Sequence, residues 1–152
     1  MFRGVKNEDG ASAVEFAIVM MLFVTLLFGI VEFGLIIKDY LTLSQAAREG
    51  VRSASLGSPT SVVTSRVQND APTLTTTSLT ITLYKRTVGT TPGAWTALGN
   101  TTDGKSNNAA SGDEVRVSVT YPHQLITGNL LTCFGSGNTH LNMTGDMIMR
   151  RE

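Results

Sequence analysis

The chain has 152 residues, its twelve basic side chains balance twelve acidic ones, and charged residues make up only 16% of it, against roughly 25% in an average soluble domain. Zero net charge without a basic stripe argues against nucleic-acid binding, which needs clustered Lys and Arg to neutralise phosphates. A single cysteine, Cys133, excludes an intramolecular disulfide and a cysteine metal cluster, and reads as a small buried hydrophobe.

The first residues are polar and of mixed charge, with Arg3, Lys6, Glu8 and Asp9, and they run into Gly10-Ala11-Ser12-Ala13-Val14-Glu15-Phe16. Gly10 offers a protease a backbone without a Cβ in the way. Glu15 stands at the lip of an apolar run, where a carboxylate is expensive: an acid centred in a membrane helix costs roughly 2.5–3.5 kcal/mol.

Residues 16–37 read FAIVMMLFVTLLFGIVEFGLII, 22 residues interrupted only by Thr25, Gly29, Glu32 and Gly34. About 20 apolar residues cross a hydrocarbon core of about 30 Å as a helix. A cleaved secretory signal would have a shorter apolar core and a small-x-small site after it, which Lys38-Asp39-Tyr40-Leu41 does not supply. A core helix would show a polar face, and this run is apolar all round. The segment therefore reads as a membrane anchor in a lipid bilayer. Glu32 falls about 24 Å above Phe16 at 1.5 Å per residue, near the far headgroups, as an interfacial carboxylate or a subunit contact. Lys and Arg flank the span on both sides and lean, if anything, against a cytoplasmic N-terminus.

Beyond the span Tyr40, Leu43, Ala47, Val51 and Ala54 recur at spacings of three and four, with Thr42, Gln45, Glu49 and Arg52 opposite, so the same helix is predicted to continue from Glu15 to about Leu56. Ala46, Gly50, Ser53 and Gly57 add a stripe of small residues where a sheet or a second helix can approach closely.

The runs GASAVEF, FGIVEFG and SQAAREGVRSAS, together spanning residues 10–55, resemble the N-terminal signature of TadE-like proteins of the tight-adherence (Flp, type IVb) pilus machinery. The first run resembles the prepilin peptidase site of type IV pilins. The resemblance implies that Gly10 ends a leader, that Ala11 becomes the new N-terminus, and that Glu15, followed by Phe16, takes the acidic place that pairs with a neighbouring subunit's α-amine. It implies an N-terminus in the cytoplasm, a C-terminal domain outside it, and residence in the inner membrane. The implied partners are a prepilin peptidase, other major and minor pilins and the inner-membrane assembly platform. The alternative is an uncleaved signal-anchored protein with an extracytoplasmic ligand-binding domain.

Residues 57–60 break the helix, and Val62, Val63, Arg66 and Val67 suggest a brief second one before Pro72. From there Thr, Ser, Gly and Asn dominate and the period changes to two. Leu79, Ile81 and Leu83 mark one strand, Trp95 and Ala97 a weaker one, Val115, Val117, Val119 and Tyr121 the clearest, and Leu141, Met143, Met147 and Met149 the last. The fold class is α+β: a long helix on a small antiparallel sheet of three or four strands. The division is a leader at 1–10, an anchor and extended helix at 11–57, and a β-rich domain at 58–152. Residues 99–112 read as a polar mobile loop. Asp103, Asp113 and Glu114 lack the regular ligand spacing of a calcium loop. His123 and His140 read as surface or satisfied residues, with no motif for catalysis and no cofactor implied.

Overall fold

The computed structural model describes residues 8–89, 91–126, 128 and 139–152; Cys133 and the residues before Glu8 lie outside that set. Helix α1 runs Glu8–Ser55, 48 residues, or about 72 Å at 1.5 Å per residue. It begins seven residues before the expected Glu15. Ala11 and Ala13 are strong helix formers.

The other end of α1 is closed from three sides. Gly57 takes φ +90, which lets its N–H donate to Ala54 O at 3.0 Å and that of Ser58 to Ser53 O at 3.2 Å, satisfying two terminal carbonyls. The Asn107 amide donates to Ala54 O at 2.7 Å and to Ser58 O at 3.0 Å. From just past the last strand the Arg151 guanidinium donates to Ser55 O at 3.2 Å, placing a cation on the negative end of the dipole.

Helix α2, Thr60–Asn69, buries Val63 and Val67 against α1. Gly50 makes that approach possible, since a methyl group there would overlap Val67. After a single 3₁₀ turn at Thr76–Ser78 come β1 Thr80–Arg86, β2 Thr96–Ala97, β3 Glu114–Gln124 and β4 His140–Arg150. They form one antiparallel sheet in the order β2-β1-β3-β4. Leu83 sits opposite Val117 and Val117 opposite Met147, so one face carries Ile81, Leu83, Val115, Val117, Val119, Tyr121 and Met143. That face packs on Leu43, Ala46, Ala47, Val51 and Ala54 of α1. At Gly145 a Cβ would stand 2.8 Å from the Leu43 carbonyl oxygen; only hydrogen lets β4 lie this close to the helix backbone.

The α+β architecture matches the sequence reading, with four strands. Tyr40 departs from it: expected on the buried helix face, it is 52% exposed, because the sheet meets that turn through Asp39 instead. The 99–112 loop also departs. Asn107 is buried, its amide N–H donates to Gly57 O at 3.0 Å, and Thr101 and Ser106 are bonded to each other through the backbone at 2.9 Å. The loop is the lid on the end of α1 rather than a free excursion.

Candidate functional site

The apolar half of α1 is exposed on every side, from Val14 through Phe28 without exception. It is long and apolar enough to cross a membrane. Gly10, Ala11, Glu15 and Phe16 all lie on this bare stretch, in its first turns. A Cβ at Gly10 would meet nothing within 4 Å. A glycine inside a helix costs about 1 kcal/mol relative to alanine, so Gly10 is a locally weak point of the helix.

Glu32 lies 17 residues above Glu15, about 25 Å along the helix, and the two are not brought together. Instead the chain folds back on Glu32. His123 of β3 stands between two acids of α1: its Nδ1 lies 2.7 Å from Asp39 Oδ2, and its Nε2 lies 3.6 Å from Glu32 Oε1. The three side chains are 6%, 11% and 9% exposed for His123, Asp39 and Glu32. The Ile126 amide donates to Glu32 Oε1 at 3.2 Å, and Lys38 Nζ stands 3.6 Å from Asp39 Oδ1. Two acids seven residues apart share a helix face two turns from each other, and burying both requires a positive or donating group between them. The His123 ring meets Asp39 through Nδ1, while its Nε2 makes no hydrogen bond and Glu32 accepts from the Ile126 amide. An acid orienting a histidine is also half of an acyl-transfer site, but here the far nitrogen faces a carboxylate, not a hydroxyl. The trio ties the base of the sheet to the helix where the apolar span ends.

Sequence reasoning passed over Asp39 and read His123 only as a surface or satisfied residue; it is buried, with Nδ1 against Asp39. The available signal was the Glu32–Asp39 spacing, which asks for a partner, although nothing local says that residue 123 provides it.

The outer face of the sheet carries a second polar arrangement. Arg86 pairs with Glu114 at 2.6 Å and lies over the Trp95 ring at 4.5 Å. Arg116 pairs with Asp146 at 2.7 Å and lies 5.6 Å from the same ring. The hydrogen bond from Asp146 raises the Arg116 pKa above its ordinary value. Across the loop, Asp103 is held below the usual carboxylate range by the Thr101 hydroxyl and then the Lys105 amide. Asp113 accepts from the Ala110 amide at 2.9 Å, so Asp103, Asp113 and Glu114 are each engaged separately. Among the described residues no group of three or more His, Cys, Asp or Glu is placed to hold a metal ion.

Residues 10–52 match the family model described as TadE-like protein. The N-terminal segment is TadE-like. The matched stretch covers the bare half of α1, both acids of the polar cluster and most of the surface that receives the sheet. No curated protein and no solved structure matches the chain.

Proposed function

We propose that the protein is a minor pilin or pseudopilin, a structural subunit that assembles or anchors a tight-adherence pilus. The observation that carries this is a single unbroken helix whose lower half is apolar and uncovered, whose upper half is the spine of a small β-rich head, and whose residues 10–52 are TadE-like. A prepilin peptidase cuts after Gly10, the leader and N-terminus face the cytoplasm, and the head lies outside it. Glu15, exposed at the edge of the apolar run, neutralises the α-amine of a neighbouring subunit, because either charge alone in hydrocarbon is unfavourable. Other pilins and the inner-membrane assembly platform are the partners of the bare helix. Glu32 reaches subunits only through the head, since its carboxylate is engaged within its own chain.

The test is the mass of the mature N-terminus of protein extracted from membranes and from filaments. A chain starting at Ala11, and an uncut chain in Gly10→Val, is the expected result. Met1 intact on filament-associated protein refutes the processing reading.

A further inference from the structure

Above the apolar span α1 gives one face to the sheet and leaves the opposite face bare. At 3.6 residues per turn, Lys38, Leu41, Gln45, Arg48 and Arg52 fall in one stripe, and all five are exposed. Its charge is one-sided. Glu49, at the stripe's edge, is turned to α2 and paired with Arg66 at 3.5 Å, while Lys38 reaches sideways to Asp39. Among the described residues Arg48 and Arg52 make no ion pair.

We propose that this stripe docks a second membrane-anchored helix of different sequence, with acidic side chains at the heights of Arg48 and Arg52. The proposal rests on the pilin-type reading above and names the kind of partner that reading requires. Continuity favours a helix rising from the bilayer, because the same stripe runs down through exposed Leu27, Ile30, Val31 and Gly34 into the span. Charge selects an acidic partner. A second copy standing parallel and in register would set Arg48 against Arg48 and Arg52 against Arg52, and like charges at close range are unfavourable. Lipid headgroups do not reach. Arg48 and Arg52 lie about 16 Å and 22 Å above Ile37, well past a Debye length of about 8 Å.

The experiment places a photo-crosslinking amino acid at Gln45 of the full chain, in membranes of the cell that makes it. The expected adduct joins a different membrane-spanning chain through a peptide bearing Asp or Glu. Arg48→Glu with Arg52→Glu lowers its yield roughly tenfold, as expected when two exposed ion pairs become like-charge contacts. Exchanging the partner's acids for Lys restores it. Arg48→Gln with Arg52→Gln gives a smaller loss, and Trp95 fluorescence melts confirm that each variant folds. Adducts to the chain itself, to lipid alone, to a protein without acids at the contact, or insensitive to the charge reversal overturn the proposal, as does no adduct at all. The N-terminal mass of the same material separates two failures. A self-adduct on a chain starting at Ala11 removes only the acidic partner, whereas an intact Met1 removes the processed-subunit reading.

Discussion

Gly145→Ala tests the packing of the head on its helix directly. An added Cβ would lie 2.8 Å from the Leu43 carbonyl oxygen, 2.9 Å from its carbon and 3.2 Å from the Ser44 nitrogen. All three are backbone atoms, so no rotamer change relieves the overlap and β4 must move off α1 by roughly 0.5 Å to reach ordinary contact. Overpacking of this kind costs about 1–3 kcal/mol. Alanine regains about 0.5–1 kcal/mol through its smaller conformational freedom in the unfolded chain. The net loss is about 1 kcal/mol, which in a head of this size lowers the melting temperature by roughly 4–8 °C. Trp95, the one tryptophan, sits on the sheet beside Arg86 and reports unfolding by fluorescence in detergent-solubilised full-length protein. Gly89→Ala is the control, because a Cβ there meets only Thr91 O at 3.8 Å, and its melt is expected to match wild type. A Gly145→Ala melt within a degree of wild type would refute the close approach of β4 to α1.

Two further predictions follow from the ends of the head. Asp39→Ala removes the 2.7 Å partner of buried His123; leaving a buried polar group unsatisfied costs about 1–3 kcal/mol, and hydrogen exchange at the Ile126 amide is expected to quicken as the base of the sheet loosens. Unchanged exchange there would show that the cluster does not hold the base. Arg151→Met keeps an unbranched apolar stem but removes the guanidinium from Ser55 and Ala109, and is expected to lower stability by about 0.5–1 kcal/mol, the scale of a charge at a helix terminus, measured by the same Trp95 melt.

The helix and the strands were legible because their periods are clean. Val115, Val117 and Val119 alternate with polar residues, and all three are buried. Leu43, Ala47, Val51 and Ala54 repeat at helical spacing, and all four are buried. Tyr40 fitted the same spacing and failed, because periodicity names a face without saying which residue of a turn the sheet covers, here Asp39. The loop over the end of α1 was misread for a related reason. Its composition is that of a free loop, but Asn107 is fixed by carbonyls more than forty residues away in sequence. The long apolar run of α1 could be read locally because its pattern depends on neighbours in sequence. The Glu32–Asp39–His123 contact could not, since it is made by strand register: His123 lies opposite Leu141 at the end of β3 that meets the helix at residues 32–39.

A single rigid rod about 72 Å long also makes the head a pointer. Membrane helices commonly lean by about 20°, and such a lean at the foot of α1 carries its far end sideways by roughly 25 Å. The sheet is fastened near Glu32 at the bottom and by Asn107 and Arg151 at the top, so the head is tied to α1 at both ends and follows that swing. In the membrane-spanning reading proposed above, the direction of the head is then decided inside the bilayer, by the neighbours that set the lean of the apolar half.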